Sequence, residues 1–364
     1  MTEIRPFAID VPEEEIARLK NRLQDTRLPS DPIVPEAGSS YGPPIEWFHR
    51  LYNSSLHDFD WSTVQQHLSR HWHFVTAIED KGRQLRVHFT HSKSSRSDAS
   101  PLILVYGWPG SFYVFDRVLH ALVHLNDTAD PAFNVVVPSL PASAGRPAPP
   151  GAGTLQGTAR VFNKLNANLG SKFPECKAVH LNFCPVPLPD DLPSLTPREQ
   201  KVKQRYHDWQ NSHLGYAVTM RSRPHTISVA LNDNPVGTLA GEKYQEAVAS
   251  VKLDDAHWDE GILVTCSLYF SGGYLMTSQW LYNENVEHAE TADFFCVQRT
   301  IFESPLGILR SRTIRGRTPN GQSSLQADWY TTEKSTMPAI LRQSSDPTSF
   351  LSSADTLFGE WYKS

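Results

Sequence analysis

The most constraining stretch of this chain is Pro101-Leu102-Ile103-Leu104-Val105-Tyr106, a continuous apolar run that stops at Gly107-Trp108-Pro109-Gly110-Ser111. A short run with no polar alternation, closed by turn residues, fits a strand buried on both faces, the habit of parallel sheets. The pattern recurs at Phe133-Asn134-Val135-Val136-Val137-Pro138 and at Ala178-Val179-His180-Leu181-Asn182-Phe183. Helical periods fill the intervals, from Phe115 to Leu125 and from Thr154 to Leu169, the latter with Ala159, Phe162 and Leu165 on one face. Strands alternating with helices predict an open α/β sheet.

A front segment precedes this sheet. Pro12 followed by Glu13, Glu14 and Glu15 opens a helix, with Ile16, Leu19 and Leu23 as its apolar stripe. Trp47, Leu51 and Tyr52 mark a second helix, and Trp61 to Trp72 a third. Phe74–Ile78 and Leu85–Phe89 read as strands joined at Asp80-Lys81-Gly82. Residues 185–285 turn helical and rich in Trp and Tyr, as an inserted lid does. From Arg310 to Ser345 no period is visible, and Phe350, Leu351, Leu357, Phe358 and Trp361 then predict a last amphipathic helix.

Composition excludes several classes. Of 364 residues, 39% are hydrophobic and 10% aromatic, which is not the make-up of a disordered chain. A net charge of −5 argues against a nucleic-acid partner held through phosphates. No apolar run is long enough for a membrane span, and Met1-Thr2-Glu3-Ile4-Arg5 is no signal peptide. Cys176, Cys184, Cys266 and Cys296 contain no C-x-x-C pair and are expected to be reduced thiols of a cytoplasmic protein.

At Gly107-Trp108-Pro109-Gly110-Ser111 the sequence resembles epoxide hydrolases of the microsomal and juvenile-hormone type. The resemblance extends over about three quarters of the chain. It includes Ile4-Arg5-Pro6-Phe7 through Trp47, Val136–Pro141, Ala159-Arg160-Val161-Phe162 and Leu231-Asn232-Asp233-Asn234-Pro235-Val236-Gly237. It implies an α/β-hydrolase fold with an N-terminal extension over residues 1–98, a core in two parts at 99–187 and 289–364, and a helical lid at 188–288. It also implies the opening of an epoxide by water to a vicinal diol, without metal or cofactor, on a small apolar epoxide.

In that family an Asp at a strand-to-helix elbow attacks the epoxide, and a His oriented by an acid directs water at the resulting ester. Two lid tyrosines donate hydrogen bonds to the ring oxygen as it becomes an alkoxide. By resemblance these are Tyr216, in Gly215-Tyr216, and Tyr282, in Ser278–Asn285. Gly107, Trp108 and Pro109 match the turn that lines the pocket and helps hold the oxyanion, with Tyr106 where the family carries His.

The other parts depart from the family. Leu169-Gly170-Ser171-Lys172-Phe173-Pro174-Glu175-Cys176 runs almost at once into the next strand, with no room for a further strand, a Gly-Gly-Asp-Trp-Gly elbow and a helix. Thr300 stands where the orienting acid belongs, with Glu303 three residues late. No histidine follows His288, so the base is absent. A central strand, the nucleophile and the base are therefore expected to be missing. Three readings follow: a family enzyme, a relative that binds or rearranges an epoxide through its two tyrosines, or an incomplete gene product.

Other motifs carry less. Gly38-Ser39-Ser40-Tyr41-Gly42 satisfies G-x-S-x-G but sits in a Pro-rich loop, and Gly151-Ala152-Gly153 with Gly157 misses the dinucleotide spacing by one. His67, His71 and His73 have a ligand-like spacing but no carboxylate close in sequence, which favours an exposed helix end over a metal site. Asp254-Asp255 with Asp259-Glu260 reads as a solvated turn.

Overall fold

Glu13, Glu14 and Glu15 occupy the first turn of helix α1 (Glu13–Gln24), where carboxylates meet the positive end of the helix dipole. The computed structural model describes residues 3–32, 34–36, 41–124, 132–141, 153–169, 179–181, 197–239, 256–287, 306–312, 326–331 and 340–341. Leu19 and Leu23, one turn apart on α1, pack with Trp47, Phe48, Leu51 and Tyr52 of helix α2 (Ile45–His57). Helix α3 (Trp61–Leu68) starts where the Asp60 carboxylate accepts the Thr63 N–H at 3.0 Å. It stops four residues before the expected end at Trp72, which is 74% exposed. The reason is that His73 already belongs to a strand, paired with Thr90.

That strand, β2 (His73–Asp80), follows a two-residue strand β1 (Arg5–Pro6) in the sheet and turns into β3 (Arg83–Ser92) through Lys81 and Gly82. Both turn residues have positive φ, +50° and +79°, the geometry of the tight hairpin turn that glycine accommodates best. Strands β4 (Ser100–Ile103) and β5 (Phe133–Pro138) complete a five-stranded sheet of order β1-β2-β3-β5-β4. Only the β4–β5 pair is parallel. At the edge of this sheet, β4 is half-buried rather than covered on both faces.

Side chains alternate across β5, as the pleat requires. Phe133, Val135 and Val137 join a cluster with Trp61, Leu68, Leu119 and Leu122, the last two from helix α4 (Asp116–Val123). Val136 faces the other way, onto Val161, Phe162 and Leu165 of helix α5 (Leu155–Asn168). Helices thus cover both sides of the sheet, and each buried Val or Leu contributes roughly 1.5–3 kcal/mol. Gly157 joins the buried stripe of α5, whereas Ala159, two residues on and across the helix, is exposed.

Within the region expected to be helical, the described residues form α6 (Pro197–Ser212), α7 (Gly215–Ser222), α8 (Pro224–Asn232), α9 (Pro235–Thr238), α10 (Ala256–Gly272), α11 (Leu275–Ser278) and α12 (Trp280–Glu287). Val236, Leu239, Ile262, Cys266 and Phe270 from this region pack on α1 and α2. The solvated-turn reading of Asp259 is overturned. This residue lies in α10, is 9% exposed and pairs with Arg50 of α2, because the helix turns it toward the front segment. The patternless reading of 310–345 is also corrected. Strands β7 (Leu306–Arg312), β8 (Gln326–Thr331) and β9 (Ile340–Leu341) pair in antiparallel fashion, and β7 runs parallel to β6 (Val179–Leu181). Pairing of this kind is satisfied by main-chain groups and leaves little hydrophobic period to read. Cys266 is a buried free thiol; the other three cysteines lie outside the described residues.

Candidate active site

The turn that ends the first core strand is closed by Gly110 N–H donating to Gly107 O at 2.7 Å. A Cβ at Gly110 would stand 2.6 Å from that same oxygen, so only glycine fits. The Tyr269 hydroxyl donates to Gly110 O at 3.0 Å and holds the turn from α10. Within it, the Trp108–Pro109 peptide is cis, Gly107 is exposed, and Trp108 and Pro109 are half-buried.

Two helices bring the tyrosines to this turn. Tyr216, in the first turn of α7, lies with its ring centroid 6.1 Å from that of Trp108 and nearly parallel to it, at 19°. Tyr282, on α12, meets Trp108 edge-on at 5.5 Å and 85°. The two phenol rings are 5.7 Å apart at 89°. These separations lie in the range favoured by aromatic pairs. The Trp108 indole N–H donates to Ser278 Oγ at 3.1 Å, which sets the indole plane between them. Leu231, Tyr269, Leu275, Ile227 and Tyr274 form the apolar cluster beside Trp108. The structure therefore brings Trp108, Tyr216 and Tyr282 into one aromatic corner.

Polar side chains around Tyr282 lock this corner. The Asn283 side-chain amide donates to Arg221 O at 2.7 Å, satisfying a carbonyl in the last turn of α7. Glu284 accepts the Gly153 N–H at 2.9 Å, and Asn285 Oδ1 accepts the Leu155 N–H at 2.9 Å. Those N–H groups open α5, where orphan donors and the helix dipole both favour a carboxylate. The Ser278–Asn285 segment was legible as a motif; the use of its polar positions as clamps was not.

Behind the turn, Tyr106 is buried. Its hydroxyl accepts the Leu140 N–H at 3.2 Å and also bonds the Ser139 side chain. Burial pushes the phenol up to about 12. Ser139 in turn meets His88 Nδ1 at 2.8 Å, and His88 Nε2 meets His73 Nδ1 at 3.0 Å. Burial first, then the neighbouring His73 and Arg86, push His88 down to about 3. Burial also lowers His73, and takes His91 to about 4 with help from Lys93.

The expectation of an exposed helix end with no carboxylate for His67 and His71 is overturned by tertiary contact. Asp116, from α4, accepts from His67 Nε2 at 2.9 Å and from His71 Nε2 at 2.6 Å. Burial works to raise the Asp116 carboxyl, but the hydrogen bonds from His71 and His67 outweigh it and leave it below its ordinary range. Among the described residues no group of three or more His, Cys, Asp or Glu is arranged to hold a metal. Gly153 and Gly157 serve the start of α5, with Thr154 Oγ1 accepting the Gly157 N–H at 2.9 Å. Gly38-Ser39-Ser40, Gly151, Ala152, residues 170–178 where the elbow is expected, residues 288–305 with His288, Thr300 and Glu303, and the segment before Asp346 lie outside the described residues apart from the short pairing at 340–341. Among the described residues no helix is long and apolar enough to cross a membrane.

Residues 4–115 match the family described as Epoxide hydrolase N terminus. Epoxide hydrolase 1 of Oryctolagus cuniculus is 28% identical, over 78% of this chain and 73% of the relative. The structure of Aspergillus niger epoxide hydrolase superposes with a TM-score of 0.63 at 28% identity, covering 78% of each chain. That of juvenile hormone epoxide hydrolase from the silkworm Bombyx mori gives 0.68 at 22% identity, over 81% of this chain and 79% of that one, and shows the shared fold. With helices on both faces of a mixed sheet, and the aromatic corner assembled at its turn, the chain is similar in sequence and fold to epoxide hydrolases of the α/β-hydrolase type.

Proposed function

We propose that this chain binds a small apolar epoxide against Trp108 and opens it with water to a vicinal diol, Tyr216 and Tyr282 donating hydrogen bonds to the ring oxygen. The observation that carries this reading is the convergence of both phenol rings on Trp108 from separate helices. Two donors aimed at one oxygen are worth little in a neutral ground state, about 0.5–1.5 kcal/mol each, and more as negative charge develops there. The neighbouring Leu231, Leu275 and Ile227 suit an apolar or aryl substituent. The turn Gly107-Trp108-Pro109 is the wall and oxyanion side of this site. The reading also takes residues 1–98 as the N-terminal extension, 188–288 as the lid, and 99–187 with 289–364 as the core.

Diol formation from styrene oxide, followed by chromatography, tests it. Tyr216→Phe and Tyr282→Phe should each lower kcat/KM, and the pair should lower it further. Unchanged turnover in the double variant leaves these tyrosines as packing and sinks the reading.

A further inference from the structure

The Tyr106–Ser139–His88–His73 contacts form a chain whose hydrogen-bond direction can be worked out from its ends. Leu68 O, at the end of α3, can only accept, so His73 Nε2, 2.9 Å away, carries a hydrogen. A neutral His73 then presents Nδ1 as an acceptor, and His88 Nε2 must donate to it at 3.0 Å. His88 Nδ1 is left as the acceptor for the Ser139 hydroxyl at 2.8 Å. Ser139 has spent its one hydrogen, so the Tyr106 phenol donates to Ser139 Oγ, while its own oxygen accepts the Leu140 N–H. Each side-chain hydrogen of the chain is thus donated once, and Leu68 O accepts from His73 as well as from the His71 N–H.

The geometry supports true bonds. His73 and His88 have centroids 5.2 Å apart and planes within 20°, with the two nitrogens at 3.0 Å. Rings so placed meet edge to edge in a common plane, along the nitrogen lone pair. Phe112 packs edge-on to His73 at 5.1 Å and tilted to His88 at 5.4 Å, and Phe7 covers His88 at 5.2 Å. All four chain members are at most 8% exposed. In this dry setting the neutral imidazoles are favoured and an unmade bond is costly.

The chain ends under the site. The Tyr106 ring lies directly beneath Gly110, 3.3 Å from where a Cβ there would stand, so the Gly107–Gly110 turn rests on it. We infer that Tyr106 is a positioning residue for Trp108, held by a one-way hydrogen-bond chain that runs from Leu68 through His73, His88 and Ser139. The helices and hairpin of the front segment thereby set the height of the turn against Tyr216 and Tyr282. For its effect on catalysis the inference rests on the epoxide reading; for its geometry it does not.

Nitrogen-15 NMR of the full chain reads the tautomers. His73 and His88 should both appear as neutral Nε2–H forms at pH 7, and an Nδ1–H form or a charged ring at either residue overturns the assignment. The Trp108 indole N–H resonance, assigned by its loss in Trp108→Phe, reads the turn. Ser139→Ala and His88→Leu should shift it and lower kcat about tenfold, with KM little changed. His88→Gln should leave both near their original values, because the amide oxygen accepts and the amide nitrogen donates in the same order. An unmoved Trp108 resonance in cooperatively folded Ser139→Ala and His88→Leu overturns the inference. If the parent chain turns over no epoxide, the functional reading fails while the tautomers and the Trp108 resonance still decide this one. Should the variants not fold, the tautomers of the parent chain decide it.

Discussion

Asn283 and Arg221 tie the two tyrosine-bearing helices together, through a side-chain amide that donates to the Arg221 carbonyl at 2.7 Å. Asn283 follows Tyr282 directly, and Arg221 closes the helix that Tyr216 opens. One hydrogen bond thus ties the two ring-bearing helices, and the same helix, α12, also carries Glu284 and Asn285, which hold the Gly153 and Leu155 N–H groups at the start of α5.

Asn283→Ala should therefore act on catalysis more than on stability. Loss of one neutral bond costs about 1 kcal/mol, which is roughly a fivefold fall in kcat/KM if the phenols are misplaced in the transition state. Steady-state kinetics with styrene oxide alongside urea unfolding measure the two effects. A fall in stability with kcat/KM intact would show that the bond serves the helices alone.

Single-turnover reaction in water enriched in the heavy oxygen isotope should give labelled diol. The sequence offers no G-x-D-x-G elbow and no histidine after His288, so attack by water directly is expected rather than a carboxylate ester. Mass spectrometry of the diol and of the protein checks this. Unlabelled diol, or an adduct on an Asp or Glu, is the contrary result.

Acid should destabilise the fold well above the carboxylate range. His88 and His91 titrate in the folded chain at about 3 and about 4, against about 6.5 when unfolded. Between these values the unfolded chain binds more protons, so the stability these groups contribute is complete above pH 6.5 and declines as pH falls toward 3. Each contributes a slope of up to about 1.4 kcal/mol per pH unit. Tyr106, raised to about 12, acts oppositely, and its contribution is lost as pH rises from 10 to 12. Urea midpoints from pH 4 to 8 test the acid limb, and His88→Gln should flatten it.

His71→Ala should destabilise the chain by about 1–3 kcal/mol, because the half-buried Asp116 loses its shorter partner. Its carboxyl pKa should rise at the same time. Adding Asp116→Asn in a double-mutant cycle reads the coupling. Additive effects would mean that the two side chains stabilise the fold independently.

Sequence alone determined what depends on neighbours along the chain. Pro12 with the acids at 13–15, the Lys81-Gly82 turn and the apolar run at 133–138 dictate their elements locally, and motif context picked out Trp108, Tyr216 and Tyr282. Boundaries shifted where tertiary demands won, as at His73, which leaves the helix for a strand to meet His88. Only the tertiary structure decided which side chains became partners: Asp116 for His67 and His71, Arg50 for Asp259, Glu284 and Asn285 for the start of α5, and Ser139 between Tyr106 and His88. Such pairs leave no periodic trace, because a hydrogen bond needs one donor and one acceptor in register in space, and the chain reaches that register only after its apolar faces have packed.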